Sequence, residues 1–363
     1  MVTNLLEKWN PILTSEKLPK IDDSYRARTT AQLLENQEKF LAETATTTVN
    51  NMQNWDPILI GLVRRLAPKL IAYDICGVQA MTMPTGLVFC IRSRYTNASG
   101  SEAFVQEADT DFSGAPNPSH FGSDPWDPAF STGVGKNIPD GEVDAWNSMS
   151  MTIEKTSVVA KTRQLRADYS LELAQDLRSI QGLDAESELS NILSTEIISE
   201  INREVVRTIY TVAETGAQFA STPGTFDLAH DADGRWFLER VKGLLFAVER
   251  DANQIAKRTR RGKGNIIITT SDVASALAMS GVLNYAPALQ ATVDLDVDDT
   301  GVTLAGKVGR FKVFIDPYLS TDGYVVGYKG PSPYDAGIFY CPYVPLQMVR
   351  ATNVDTFQPA IRI

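Results

Sequence analysis

The chain has 363 residues, 43% of them hydrophobic and 21% charged, with a formal net charge of −10. That acidity argues against a surface built to hold nucleic acid, which needs a basic excess. No window approaches the ~18 consecutive apolar residues of a membrane span, so no membrane partner is expected. The three cysteines, Cys76, Cys90 and Cys341, are odd in number and widely spaced, which suits buried thiols in a reducing compartment.

Residues 1 to about 50 are mostly polar. Thr29 to Ala42 (TTAQLLENQEKFLA) reads as a helix with Leu33, Leu34, Phe40 and Leu41 on a loose stripe. Thr44 to Asn51 (TATTTVNN) reads as a linker. The plain reading of this end is a frayed terminus tethered weakly to the body; the sharper one is an arm or a removable pro-segment. Asp56 to Leu66 is expected as a short helix with Pro57 in its first turn. Ile71–Gln79 and Gly86–Tyr95 read as strands around the turn at Met83–Gly86.

From Asn97 to Ala145 the composition changes. Gly, Pro, Asp and Ser supply 23 of these 49 residues, and so long a stretch without a periodic apolar pattern is uncommon inside a compact domain. It also carries Phe104, Phe112, Phe121, Trp126 and Phe130, with Trp146 just beyond. Disordered segments are poor in aromatics, so the expectation is an extended arm that orders on a neighbouring chain.

Ser148–Leu165 alternates as one or two strands, and Ser170–Ile180 reads as a capped helix. Leu183–Ala213 then reads as one uninterrupted helix of roughly 45 Å. Leu189, Ile192, Leu193, Ile197, Ile201, Val205, Ile209 and Val212 recur on one face, and Asp184 sits where an N-cap belongs. No second helix of comparable length is expected, so this one reads as a spine that strands and short helices cross. Trp236–Arg258 is a shorter amphipathic helix, Asn265–Thr270 a buried strand, and Ser271–Met279 a helix capped by Ser271. From Gly301 onward short strands and turns alternate. Helices and strands mix without regular βαβ order, which gives an α+β class.

No chemistry-bearing pattern stands out. The two histidines, His120 and His230, lie in loop-like sequence, and no Cys or His lies at metal-ligand spacing from another. Gly301 to Lys307 has phosphate-loop spacing, but Val308 replaces the Ser/Thr that would hold Mg²⁺, and the context runs strand to strand. Asp109–Gly114 and the cluster Asp294, Asp296, Asp298 and Asp299 start like calcium loops, but their twelfth positions are His120 and Lys307. No cofactor, metal or catalytic residue is expected. Lys257, Arg258, Arg260, Arg261 and Lys263 form a cationic run. Its readings are a solvated face, a nucleic-acid contact, or a patch that meets the acidic run at 294–299 of an adjacent copy, as head-to-tail rings require.

Five blocks carry a resemblance: LLENQEKFLAE at 33–43, DPILIGLVRRLAPKLIAYDICGVQAMTMPTGLVFCIRSRY at 56–95, EADTDFSG at 107–114, ADYSLELAQDLRSIQGLDAESELSNILSTEIISEINREVVRTIY at 167–210, and VGYKG with DAGIFYCPYVPL at 326–346. The chain resembles the major capsid proteins of T-even-type tailed phages. The resemblance implies the Hong Kong 97-type capsid fold, with an N-terminal arm at 1–55 and a peripheral domain that starts at 56–96. An extended loop at 97–147 follows, then the rest of the peripheral domain at 148–219 around the spine 183–213. An axial domain at 220–340 and a return strand at 341–363 complete it. The chain is shorter than the best-known members, and 97–145 leaves no room for their folded insertion domain.

The resemblance also implies hexamers and pentamers closed into an icosahedral or elongated head around DNA held without sequence specificity. Its partners would be copies of itself, a scaffold protein and a prohead protease, extending to decoration proteins and a chaperonin. It would be found in the virion, and in the host cytoplasm during assembly. The protease cuts after Glu in Leu/Ile-x-Glu, which Leu41-Ala42-Glu43 fits just before the Thr-rich linker; Leu33-Leu34-Glu35 and Leu5-Leu6-Glu7 fit as well. The residues expected at contacts between copies are Phe104, Phe112, Trp126, Arg258, Arg260 and Arg261, with Asp294, Asp296 and Asp298. The near alternative is the related vertex protein, which forms only pentamers. The distant one is a phosphate- or nucleotide-binding enzyme that uses Gly301 to Lys307.

Overall fold

The computed structural model describes residues 2–14, 21, 23–44, 69–104, 108–115, 126, 132–143, 146–232, 236–279, 281, 283–285, 303–332, 335–353 and 358–363. The helix expected at 56–66, His120 and the acidic cluster at 294–299 lie outside them.

The elements, in chain order, are α1 (Val2–Leu13), α2 (Ser24–Thr44), α3 (Ala72–Ile75), β1 (Gly77–Val78), β2 (Thr85–Tyr95), α4 (Ile138–Val143), β3 (Met149–Val159), β4 (Arg166–Asp168), α5 (Leu171–Asp176), α6 (Ala185–Val212), α7 (Phe237–Thr259), β5 (Ile266–Thr269), α8 (Ser271–Met279), β6 (Leu283–Tyr285), β7 (Thr303–Val308), β8 (Phe311–Ile315), β9 (Tyr324–Gly327), β10 (Phe339–Tyr340), β11 (Val349–Thr352) and β12 (Pro359–Arg362). Helix and sheet are mixed without βαβ repetition. The chain divides into two compact units, Met1–Pro84 with Val159–Ile363, and Thr85–Val158.

The first unit is built on a five-stranded sheet of order β6-β7-β8-β5-β9. Only β5 and β8 run parallel; the other pairs are antiparallel. All four residues of β5 are buried, because both faces of the sheet are covered and a doubly covered strand reads as a continuous apolar run. On one face Ile267 and Val313 pack with Val241, Val248 and Ala252 of α7 and Leu277 of α8. On the other, Ile266, Ile268 and Phe314 pack with Val206 of α6 and Ile71. Burying one such side chain fully contributes about 1.5–3 kcal/mol. Between β7 and β8 the chain turns at Gly309, whose φ of +57° is left-handed and costs a glycine little.

The long helix α6 has 28 residues, with Asp184 as its extended N-cap residue and Glu186 and Glu188 in its first turn. Its buried face differs from the apolar stripe read in the sequence. Ser190, Ser194, Ile197, Ile198, Asn202 and Val206 are buried, whereas Ile192 and Val212 are exposed. The polar members are satisfied locally or by distant backbone. The Ser190 and Ser194 hydroxyls donate to the carbonyls of Glu186 and Ser190, at 2.8 and 2.7 Å. Asn202 accepts from the Ile71 N–H at 3.1 Å and donates to the Lys69 carbonyl at 3.1 Å. That contact also accounts for the turn of helix α3 where a strand from Ile71 was expected. A second correction concerns length: α2 and α7, at 21 and 23 residues, approach α6, yet α6 packs on strands and not as a coiled coil.

A buried carboxylate fixes α6 to the end of β8. Asp316, with a side chain 0% exposed, accepts from Arg203 at 2.7 and 2.9 Å, from the Tyr210 hydroxyl at 3.0 Å and from the Tyr318 N–H at 3.0 Å. A buried carboxylate is tolerable only when its lone pairs are met in this way. Helix α5 is capped by Ser170, whose hydroxyl accepts from the Leu173 N–H, and it runs into a wider π-type turn that Gly182 stops at φ +69°.

Candidate assembly surfaces

In the second unit β2 and β3 pair as a two-stranded ribbon. Successive side chains of a strand point to opposite faces, and here the two faces differ in kind. The even-numbered face is polar: Arg94 donates to Thr152 at 3.1 Å and pairs with Glu154 at 3.2 Å, and Arg92 pairs with Glu154 at 3.1 Å and Glu102 at 3.5 Å. The odd-numbered face carries Leu87, Ile91, Met149, Met151 and Ile153, between 50% and 65% exposed. An isolated two-stranded ribbon is marginal in water, and contiguous exposed apolar surface marks a contact site.

The aromatics of the 97–147 stretch separate in this unit. Phe104 is 81% exposed and Trp126 91% exposed. Phe104 also holds a φ of +71°, a conformation that bulky residues rarely adopt without constraint. Phe112 is engaged within the chain: its ring lies 4.6 Å from that of Tyr95, and Asn147 donates to its carbonyl. Trp146 is 85% exposed and donates from its indole to the Gly141 carbonyl at 3.2 Å.

The cationic run that begins in the last turn of α7 has partners within its own unit. Arg258 pairs with Glu214, Arg261 with Asp335 at 3.2 Å, and Lys263 with Glu249. Arg260 is the C-cap residue of α7, exposed and left-handed at φ +54°. The acidic residues Asp294, Asp296 and Asp298, expected as their partners in a neighbouring copy, fall outside the described residues. The intrachain partners come from positions 214, 249 and 335, and nothing in the run's own spacing points to them.

The N-terminal residues form the least expected surface. In place of a frayed terminus, α1 and α2 pack together and onto the body. Trp9, Leu13, Ala31 and Leu34 share one buried cluster with Ile197 of α6 and with Leu346, Ile361 and Ile363. Lys8 ties the two helices, pairing with Glu35 at 2.8 Å and with Glu38, and the Trp9 indole donates to Glu35 at 3.4 Å. Hydrogen bonds from Lys8 hold the Glu35 carboxyl below its ordinary range, and the same contacts raise the Lys8 ammonium. On α2 the Asn36 amide donates to the carbonyls of Met81 at 2.7 Å and Tyr343 at 3.0 Å.

The fit of this hairpin is loose. Gln37 is 3% exposed, and among the described residues its side-chain amide meets no hydrogen-bond partner. A cleft of ≈ 330 Å³ opens along α1, lined by Leu6, Glu7, Asn10, Leu13, Thr14, Ile21 and Ala27. The three Leu-x-Glu stretches also differ in place. Glu7 lies in α1 and Glu35 at the centre of the hairpin contact, whereas Glu43 is the next-to-last residue of α2. The last four carbonyls of a helix lack internal partners, so its end frays at small cost.

No arrangement of catalytic type accompanies these surfaces among the described residues. No group of three His, Cys, Asp or Glu is placed to hold a metal, and no helix is long and apolar enough to cross a membrane. His230 pairs with Asp227 at 2.7 Å in an exposed turn. Residues 303–308, including Lys307, form strand β7 of the sheet and not a phosphate-cradling loop. Burial pushes the Cys76 thiol up to about 11, away from nucleophilic use.

A family model described as Major capsid protein Gp23 matches residues 52–363. The chain is 40% identical to the major capsid protein of Salmonella phage ViI, over 99% of this chain and 88% of that one. It is 35% identical to the major capsid protein of Enterobacteria phage T4, over 98% of this chain and 89% of that one. The capsid vertex protein of the same phage is 27% identical over only 37% of this chain and 30% of its own. A solved chain of Microbacterium phage Oxtober96 aligns over 89% of this chain and 88% of its own at 12% identity, with a TM-score of 0.38, too low to carry a fold argument.

Proposed function

From the premise that the chain belongs to the Gp23 family of major capsid proteins, a structural family and not an enzyme family, we propose that its assembly runs through the apolar face of the β2–β3 ribbon. It is a major capsid protein and not the pentamer-only vertex protein, because the likeness to the former spans nearly the whole chain and that to the latter about a third. The shell is built of hexamers closed by pentamers and encloses DNA without reading its sequence. The mixed architecture, with a long helix laid across strands, supports a Hong Kong 97-type subunit in which 97–147 is the extended loop and 220–340 the axial domain.

The observation that carries this reading is the ribbon's unpartnered row Leu87, Ile91, Met149, Met151 and Ile153. Each neighbour that covers such a row removes it from water, at about 25 cal/mol per Å² of apolar area. A contact that is weak alone becomes strong when a closed shell repeats it. Phe104 and Trp126 are further exposed aromatics of the same unit, and the Arg258–Arg261 run contributes at most a salt-screened rim. A scaffold protein guides assembly, and a prohead protease removes the N-terminal segment after Glu43, whose position in the last turn of α2 favours it over Glu7 and Glu35. Decoration proteins and a chaperonin complete the set of partners, and folding and assembly take place in the host cytoplasm.

Negative-stain imaging of the expressed chain, with scaffold supplied, tests this. Hexamers, tubes or closed shells are expected from the parent, and none from Met151→Lys with Ile153→Lys. Normal shells from that variant would remove the ribbon from the mechanism. Mature particles whose subunit mass equals the full 39.8 kDa would remove the cut after Glu43.

A further inference from the structure

At one end of the five-stranded sheet the hairpin β7–β8 gathers cations. It turns at Gly309, with Arg310 beside it in the turn. Lys307 and Lys312 stand directly opposite each other in register, so both side chains leave the same face of the sheet, a strand interval of about 4.8 Å apart. Ile266 pairs with Lys312 on one side and with Gly327 on the other. That face is therefore the one packed on Ile71 and Val206. Lys329, two residues beyond Gly327, turns to the same side, where its ammonium donates to the Tyr73 carbonyl. Burial holds that ammonium below its ordinary range; Asp74 and Cys76 oppose the shift, and Arg26 and Lys312 add to it. The positive field of the hairpin thus reaches a lysine two strands away. Like charges directly opposite destabilise a strand pair. The run at 257–263 meets Glu214, Asp335 and Glu249. Lys307, Arg310 and Lys312 are exposed, and among the described residues no carboxylate pairs with any of them.

We propose that Lys307, Arg310 and Lys312 form a seat for the phosphate backbone of nucleic acid. This rests on the reading of the shell as a container of DNA. The choice of anion follows from charge. An acidic peptide and DNA meet the same repulsion from a chain of net −10, and DNA overcomes it through charge density. A duplex carries about one charge per 1.7 Å of axis, and release of its condensed counterions drives binding even to a few cations. Contacts to phosphate oxygens carry no sequence information, which suits a shell that holds any DNA. The acidity of the rest of the chain keeps each contact weak and local, and the many copies of a shell add such contacts together.

The test follows acetylation of individual lysines by mass spectrometry on the folded full chain, with and without a DNA duplex of mixed sequence. Binding of the same duplex is measured by fluorescence anisotropy as salt is raised. Lys257, exposed in the last turn of α7, is the internal control. With DNA at low salt, Lys307 and Lys312 should react about five-fold or more slowly while Lys257 is unchanged, and log K should fall against log[salt] with a slope of about −3 for the three cations. Each of Lys307→Gln, Arg310→Gln and Lys312→Gln should flatten that slope by about one, equally for duplexes of unrelated sequence. All three side chains are exposed, so the variants should melt with the parent, and any one that folds suffices. Lysines that DNA leaves unprotected, or equal protection of Lys257, overturn the seat. So does slow reaction of Lys307 and Lys312 in the free chain, because the chain would then neutralise its own hairpin. Equal protection by a poly-aspartate of the same charge overturns the choice of nucleic acid in favour of an acidic peptide. The assay uses subunits in solution. Shells that fill with DNA while the hairpin stays unprotected sink this inference alone; subunits that bind DNA but build no shells sink the reading it rests on.

Discussion

Helix α2 buries Thr29, Thr30, Asn36 and Gln37, whereas the β2–β3 ribbon leaves Leu87, Ile91, Met149, Met151 and Ile153 half or more exposed. Each departs from the usual sorting of polar and apolar groups, in opposite senses. Under α2 the unmet Gln37 amide weakens a contact that the lone chain makes. An apolar group on a ribbon withholds a contact until a second chain arrives. A subunit that must fold first and assemble later needs both kinds of surface, and the two should respond oppositely to substitution.

The largest effect separates them by assay. Met151→Lys with Ile153→Lys should abolish shells, yet shift the melting free energy of the subunit by no more than about 0.5 kcal/mol, because neither side chain is buried in the lone chain. Leu34→Ala should do the reverse. Leu34 is 1% exposed, and such truncations cost about 2–5 kcal/mol depending on how far the cavity collapses. Exchange protection in α1 should fall sharply while the ribbon is unaffected. If Leu34→Ala left α1 protection intact, the hairpin would not be seated as described.

Gln37→Leu should act more gently and in the other direction. It replaces an amide with no partner by an apolar group of similar size, which contributes up to about 1–3 kcal/mol to hairpin docking. The measurable outcome is slower amide exchange in α1. Faster exchange would mean that the amide is satisfied in solution.

Much of this was legible in the sequence, and the parts that were not share a cause. The 3.6-residue period found α6 and α7 to within two residues, and the apolar run at 265–270 found β5, because those signals are local. The five blocks at 33–346 pointed to the family that the comparisons then gave. The buried face of α6 was misjudged because Ser190 and Ser194 bond back to their own helix, and because Asn202 takes its partners from Lys69 and Ile71. Those partners are more than a hundred residues away. The plain reading of the N-terminal end, a terminus tethered weakly, fails for the same reason: the carbonyls that anchor Asn36 belong to Met81 and Tyr343. The ribbon's apolar parity was present in the alternation of 149–153, but alternation alone does not say whether the apolar side faces a core.

The smallest effect is a dependence of the α1–α2 contact on pH. Glu35 accepts chiefly from Lys8, with the Trp9 indole adding to it, Lys39 nearby at 3.9 Å, Glu38 sharing Lys8, and burial opposing. Its folded pKa is lowered from 4.5. Where α1 has left α2 it takes up a proton more readily than where the two helices are packed. Its contribution to the α1–α2 contact is therefore present above about 4.5 and lost as pH falls through the lower packed value. Lys8 runs the other way: raised from 10.5 by Glu35 and then Glu38, it supports the same contact below that value and ceases to as pH climbs past it. The contact should be level between these limits, and protection of α1 should decline in acid before that of Ile266–Thr269. Glu35→Gln should flatten the early acid decline and weaken the α1–α2 contact at neutral pH, while leaving the ribbon, which contains neither group, indifferent. A decline of equal size in the Gln variant would assign the acid response to other carboxylates and leave the hairpin held by its apolar cluster alone.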